Sequence, residues 1–413
     1  MNIQATLGFS DHLTHRANLK HTRYGWLRLT PAYSVHLVSQ LLETGQAQDA
    51  AILDPFMGTG TTSLVCAEKG IAADTTDINP FLVWLARTKT AAYDSQTILQ
   101  FCDLSQEIIQ TINAPYAEAV WVPPLHQIEK WWDSRTLNAL GRAMAVIREY
   151  SVTVPAPVSD LLKITFCRTM IEQANVSFGH QSMSFKANRS GALPYLAEEY
   201  VRESWCRAAR EIACSAASVI VRKPRIILAD ARDIGQNLEH DRYSCVITSP
   251  PYPNRMSYIR ELRPYMYWLG YLEDSRTAGE LDWQAIGGTW GVATSRVGKW
   301  RPDTEVDIPF AGFQSILDRI GETSPVLSRY VQKYFCDMMQ HCHGLFQVVK
   351  PGGTINYIVG NSKFYEVMLP VESIFAALFT QAGFEDVACK AIRKRTSKKE
   401  LFEYIVTGRR HVS

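Results

Sequence analysis

The chain has 413 residues, 46% of them hydrophobic and 20% charged, a balance that permits a sizeable core and excludes a wholly disordered or fibrous protein. A formal net charge of +2 is too small to mark a polyanion partner, so any nucleic-acid contact must come from local clusters: Arg222, Lys223 and Arg225; Arg296, Lys299 and Arg301; or Arg393 to Lys399. Nine cysteines with no CxxC pair, no signal-peptide pattern and no apolar run of the roughly 18 residues needed to span a bilayer predict reduced thiols, a cytoplasmic location and no membrane partner.

In chain order, Ala51-Ile52-Leu53-Asp54 predicts a short buried strand and Ile71 to Asp77 a second, with a helix from Thr62 to Lys69 between them. This βαβ start implies a parallel sheet with a right-handed crossover. The alternation then stops. Ile128, Trp132, Leu140, Met144 and Ile147 recur at helical spacing, as do Val158, Leu162, Phe166, Met170 and Ala174, and then Val201, Trp205, Ala208, Ile212, Ala216 and Val219. Residues 95–221 are therefore expected to be a large helical insertion.

Strand patterns return at Arg225 to Asp230 and at Cys245 to Thr248, within a second sheet segment spanning 222–272. Residues 273–325, with Gly287, Gly288, Gly291, Gly298 and Gly312 among Trp283, Trp290, Trp300 and Phe310, predict a loop-rich insertion. The final part, 326–413, begins with a helix from Leu327 to Val349 that Lys350-Pro351-Gly352-Gly353 stops. Thr354 to Val359 then predicts a fifth strand, Val371 to Ala382 a helix, and Val387 to Arg393 with Glu403 to Thr407 a closing strand pair. The run His341-Cys342-His343 lacks a second ligand pair at metal-site spacing, and no metal is expected.

The expected fold is α/β, a doubly wound sheet. Ligands of such sheets sit beyond the carboxyl ends of the strands, where this sequence places Asp54, Asp77, Asp230 and Ser249. After the first strand, Gly58 and Gly60 in Asp54-Pro55-Phe56-Met57-Gly58-Thr59-Gly60-Thr61-Thr62 permit a tight turn and close approach of a ligand to backbone N–H groups. A phosphate loop would need Gly-Lys-Ser/Thr, and the dinucleotide fingerprint would need glycine where Ser63 stands. A ligand with a positive amino-acid end fits Asp54 better, its ribose Asp77, and an adenine amino group Asp230, next to Ala231.

Together with Ser249-Pro250-Pro251-Tyr252 at the fourth strand end, this segment resembles the S-adenosylmethionine-dependent DNA methyltransferases that modify exocyclic amino groups, of the Ser-Pro-Pro-Tyr type. The resemblance covers about 45–95 and 222–272. It implies a Rossmann-like class I methyltransferase sheet, with residues 1–94 holding the N-terminal segment and the first half of the catalytic domain. It also implies S-adenosylmethionine as cofactor, S-adenosylhomocysteine as product, and double-stranded DNA with a flipped base as partner. Arg28-Leu29-Thr30-Pro31-Ala32 is similar to the family's N-terminal cofactor segment, which adds Thr30 and Pro31 to the cofactor site; a helix N-cap at Thr30 accounts equally for the pattern. The helical insertion lies before the third strand, which departs from the family's usual order.

The prolines of the tetrapeptide fix a stiff loop, so that the Ser249 hydroxyl and the Pro250 carbonyl can accept hydrogen bonds from a base amino group while Tyr252 offers a stacking face. Serine at its head favours N4 of cytosine by resemblance. The expected setting is a bacterial, archaeal or phage restriction-modification system, with a restriction endonuclease acting on the same site. The alternatives are an N6-adenine or RNA methyltransferase, or an inactive nucleic-acid-binding scaffold.

Overall fold

The computed structural model describes residues 22–27, 29, 33–44, 51–114, 120–177, 184–186, 196–254, 257–289, 292–302, 307–395 and 400–412. Thr30, Pro31, Trp290 and Gly291 lie outside the described residues. A short turn, Arg23–Gly25, precedes α1 (Val35–Thr44). The βαβ start is β1 (Ala51–Asp54), α2 (Thr61–Lys69) and β2 (Ala72–Asp77), followed by α3 (Pro80–Lys89). Gly60, at φ 78°, opens α2, and Gly70, at φ 73°, closes it. Asn79 caps α3 by accepting from the Phe81 N–H, with Pro80 in the first turn.

Helices α4 (Ser95–Ile112), α5 (Ile128–Trp131), α6 (Ser134–Thr153), α7 (Ala156–Glu172) and α8 (Ala197–Ala216) follow, with the two-residue strands β3 (Val176–Ser177) and β4 (Ser184–Phe185) before α8. Their apolar stripes meet in one core: Phe101 and Ile108, Leu140 and Ile147, Leu162, Phe166 and Met170, Val201, Trp205 and Ile212. The pattern read from Ile128 to Ile147 breaks at Asp133, which caps α6 by accepting from the Arg135 and Thr136 N–H groups. Val219 lies beyond the end of α8 and is exposed, so its place in the periodic series is coincidental.

Arg23 is buried and ties this region to the sheet. Its guanidinium donates to the carbonyls of Lys89 (2.9 Å) and Ala91 beside the end of α3, and of Ser215 (3.2 Å), Ala216 (2.6 Å) and Ser218 (2.9 Å) at the end of α8. A cation among the free carbonyls of a helix C-terminus satisfies both the orphan acceptors and the helix dipole.

The sheet resumes with β5 (Arg225–Leu228) and β6 (Tyr243–Thr248), with α9 (Ile234–Asn237) between them. Next come α10 (Tyr258–Trp268), α11 (Ser275–Gln284), α12 (Val292–Lys299), α13 (Phe313–Thr323) and α14 (Pro325–Val348). The stretch expected to be loop-rich therefore carries three short helices. Helices α12 and α13 present only narrow apolar faces to α14, through Val297, Phe313, Leu317 and Ile320, while α11 packs against α10 and α12, and the glycines fall mainly at their ends and turns, which masks the periodicity.

After α14 come β7 (Val349–Gly360), β8 (Ser362–Phe364), β9 (Val367–Leu369), α15 (Val371–Ala382), β10 (Phe384–Lys394) and β11 (Phe402–Arg410). Strand β7 starts before Pro351, with a pairing irregularity against β6 between Tyr243 and Cys245, so the Pro-Gly-Gly run bends a strand as well as stopping a helix. The seven-stranded sheet has the order β10-β11-β7-β6-β1-β2-β5. Described pairings are parallel from β7 through β5, and β11 runs antiparallel to both β7 and β10. This is a doubly wound, Rossmann-like class I sheet. The strand order reverses between β6 and β1, which places the ligand crevice at their carboxyl ends.

Candidate active site

The crevice is built where β1 and β6 end side by side. Asp54 is fully buried. Its Oδ1 accepts from the Thr248 hydroxyl at 2.6 Å and from the Phe56 N–H at 3.2 Å, and its Oδ2 accepts from the Tyr33 hydroxyl at 2.9 Å. Tyr33 also bonds Thr62, whose hydroxyl donates to the Ile247 carbonyl at 3.4 Å. Burial raises the Asp54 carboxyl to about 6, against the opposing pull of these donors. Asp54 thus bolts the Gly-rich segment to the strand that delivers Ser249, and Thr61 and Thr62 are buried within that joint.

Asp77, at the end of β2, is half-buried. It accepts from the N–H groups of Gly58 at 2.9 Å and Asn79 at 2.8 Å. Its carboxyl is pushed up to about 7 by burial first; the Asn79 and Gly58 N–H groups oppose the rise and the nearby Asp54 adds to it. Gly58 stands at φ 52°, in the left-handed region that a β-branched side chain resists. The Thr76 hydroxyl donates to the Pro55 carbonyl at 3.0 Å, so both strand ends pin the loop. Lys89, buried, reaches the same loop from α3 and donates to the Thr59 carbonyl at 3.0 Å and the Tyr24 carbonyl at 3.3 Å. Burial lowers its ammonium to about 7.

The end of β5 departs from the simplest expectation for Asp230. Its carboxylate accepts from the Arg232 N–H at 2.9 Å and from the Arg232 guanidinium at 2.5–3.1 Å. Arg232 extends further, to Asp337 at 3.3 Å and to the Gln284 carbonyl at 2.7 Å. An incoming amino group would therefore share Asp230 with an arginine already chelating it. The Ala231 carbonyl accepts from His341 Nδ1 at 2.7 Å, which fixes the proton on that nitrogen and leaves Nε2 to accept from the Tyr357 hydroxyl at 2.6 Å. Burial lowers the His341 imidazole to about 4 and keeps it neutral. Phe56 meets the His341 ring edge-on, centroids 4.8 Å apart.

The Ser249 hydroxyl donates to the Ile358 carbonyl of β7 at 3.0 Å, leaving the oxygen's lone pairs as acceptors. Among the described residues, no donor reaches the Pro250 carbonyl. The Pro251 carbonyl is held by the Tyr334 hydroxyl at 2.7 Å, and the Tyr252 N–H donates to the Tyr258 hydroxyl at 3.2 Å. The loop is thus anchored at alternating points by α14 and α10. Tyr252 packs its ring edge against Gly360, where an added Cβ would stand 2.8 Å from Cε2.

Sequence reasoning brings Asp54, Phe56, Gly58, Asp77, Ser249 and Tyr252 to the strand ends. It missed Tyr33, Arg232, Tyr334, His341 and Tyr357, which arrive from helices or from the far side of the chain; only the His341 run drew notice, as a metal pattern. Asn361 holds the last hairpin: its Nδ2 donates to the Glu400 carbonyl at 3.1 Å and its Oδ1 accepts from the Phe402 N–H at 2.9 Å. In the basic cluster of Arg296, Lys299 and Arg301, Arg296 is paired bidentately with Glu280 at 2.6 Å, whereas Lys299 and Arg301 are exposed and have no carboxylate partner among the described residues. No group of three or more His, Cys, Asp or Glu side chains among the described residues could hold a metal, and no described helix is long and apolar enough to cross a membrane.

The chain is similar to Type II methyltransferases. It is 22% identical over 410 residues to M.AvaI of Nostoc sp., spanning 90% of this chain and 81% of that protein. It is 21% identical to M.BsoBI of Geobacillus stearothermophilus (97% and 87% covered) and 20% identical to M.MvaI of Kocuria varians (89% and 86%). No family model matches the chain. Among solved structures, a SAM-dependent methyltransferase from Methanosarcina mazei aligns with a TM-score of 0.32 at 8% identity, covering 90% of this chain and 98% of its own. An rRNA methyltransferase from Streptomyces viridochromogenes aligns at 0.27 and 11%, covering 92% and 86%.

Proposed function

We propose that this chain is a DNA methyltransferase that uses S-adenosylmethionine to modify the exocyclic N4 amino group of cytosine in double-stranded DNA, as the protective half of a restriction-modification pair. The observation that carries the reading is the pair of acceptors at the end of β6. The Ser249 hydroxyl has its own hydrogen committed to Ile358, and the Pro250 carbonyl has no described protein donor. Relatives bearing the Type II methyltransferase name along nearly the whole chain support DNA as the substrate. Cytosine is favoured over adenine because serine heads the tetrapeptide.

The residues present fit the cofactor. Gly58 and Gly60 hold a left-handed cradle, Asp77 suits ribose hydroxyls, and Phe56 and Ala231 offer apolar atoms to an adenine ring. Asp54 acts from behind this cradle through Tyr33 and Thr248. When bound, S-adenosylmethionine supplies an electrophilic methyl group on a sulfonium. The protein's own task is to make a base amino nitrogen nucleophilic, because its lone pair is delocalised into the ring. Ser249 and Pro250 accept hydrogen bonds from its two N–H groups and localise the lone pair; the nitrogen, cationic once methylated, then loses one of those protons to water. The Asp54–Thr248 bond holds β6 in register with the cofactor loop, so both reactants are aligned by one joint.

Lys299 and Arg301 at the end of α12 are the cations best placed for DNA phosphates, since Arg296 is neutralised by Glu280. Replacing both by alanine is expected to lower the slope of log affinity against log salt by roughly 2, as the loss of two phosphate contacts requires. Filter binding across a salt series checks it; an unchanged slope removes this region from the interface.

Nucleoside mass spectrometry of DNA and RNA from cells expressing the chain tests the reading as a whole. N4-methylcytosine in DNA is expected. N6-methyladenine alone overturns the base, and modified RNA with untouched DNA overturns the substrate.

A further inference from the structure

We propose that Arg395, at the start of the turn between β10 and β11, is a positioning residue that backs the Tyr252 ring so that the extruded base stacks on the opposite face. The inference deepens the reading above and rests on it. The Arg395 guanidinium carbon stands 5.5 Å from the Tyr252 ring centroid. Its Nη1 donates to the Asn361 carbonyl at 3.2 Å, and its backbone N–H donates to the Leu401 carbonyl at 2.7 Å.

Gly360 completes the contact. A Cβ there would lie 2.8 Å from Tyr252 Cε2 and 3.1 Å from Arg395 Nη1, so ring, guanidinium and strand β7 meet with no room for a side chain. The hairpin carrying Arg395 is pinned just below it by the Arg393–Glu403 pair, at 2.6 and 2.7 Å, and by the two Asn361 side-chain bonds. A guanidinium tethered by main chain and side chain to a braced hairpin is a fixed wall. A residue merely occupying the place of the base would need freedom to leave.

A planar cation over one ring face holds the ring's tilt and attracts its π electrons, and the base is assigned to the other face. Lysine keeps the charge but loses the planar fork and its bond to Asn361. Tyr252 therefore receives an orientation from a segment about 140 residues away that the tetrapeptide alone does not supply.

The test uses the full chain, a duplex carrying a 5-iodopyrimidine at the modified position found by mass spectrometry, and ultraviolet light, which joins the base to an aromatic ring stacked on it. The wild type is expected to crosslink at Tyr252. In Arg395→Ala the yield and kcat/KM for DNA are expected to fall about tenfold, with S-adenosylhomocysteine affinity and melting temperature unchanged and no rescue by Arg395→Lys. Unchanged yield overturns the inference; so does increased yield, which would mean that the guanidinium had occupied the base's own face. A wild type that methylates DNA without crosslinking Tyr252 overturns it as well, whereas a wild type that methylates no nucleic acid overturns the reading beneath it.

Discussion

Ser249→Ala is expected to slow methyl transfer in a single turnover by about a hundredfold, as removal of one aligned polar group in a reaction centre does, while cofactor affinity stays unchanged. The hydroxyl is the side-chain acceptor at the head of the tetrapeptide, and its hydrogen is directed at Ile358, so its oxygen is oriented before any base arrives. Alanine removes that acceptor and leaves the Pro250 carbonyl to act alone. The structural cost is small: one hydrogen bond to the Ile358 carbonyl, worth about 1 kcal/mol, which a thermal melt would register separately. Rapid-quench kinetics with saturating DNA, beside calorimetry with S-adenosylhomocysteine, separates the two effects. A loss of under threefold in the chemical step would remove Ser249 from the reaction.

Gly58→Val is expected to weaken S-adenosylhomocysteine binding by more than about a hundredfold, an effect that backbone strain and loss of the cradle produce together. At φ 52° a β-branched residue is strained by about 1–2 kcal/mol. Relief of that strain rotates the peptide whose N–H reaches Asp77, releasing the carboxylate that the loop was folded around. Calorimetry is the measurement, with a thermal melt to confirm that the variant is folded. Affinity equal to the wild type would sink the assignment of this loop.

The strands that frame the crevice were legible because each ends on a polar residue at the place where a doubly wound sheet binds ligands, Asp54, Asp77 and Ser249, and β1 and the end of β6 are short apolar runs. Strand β10 was read short because much of it is exposed, so burial imposes no alternation that a reader could detect. Helices α11 to α13 were hidden by the glycines at their ends and turns. The second layer of the site was illegible for a different reason. Tyr33 and Asp54, Arg395 and Tyr252, and His341 and Ala231 meet only through the topology of the sheet, and no local spacing records such encounters. Phe56 was legible through its motif; the neutral imidazole against its edge was not.

The five carbonyls around Arg23 bear on how this chain can be recombined. The end of α8 is completed by a side chain that lies far upstream in sequence, and the same side chain satisfies the carbonyls beside the end of α3. Residues 95–221 are contiguous in the chain but not self-contained. Transplanted into a sibling scaffold without residue 23, the segment would carry three carbonyls lacking their donor; deleted from its own scaffold, it would strand a buried guanidinium. Shuffling that respects linear boundaries would be purged, whereas exchanges that move the first ninety or so residues together with the helices would survive, so the unit of inheritance here is a pair of distant segments.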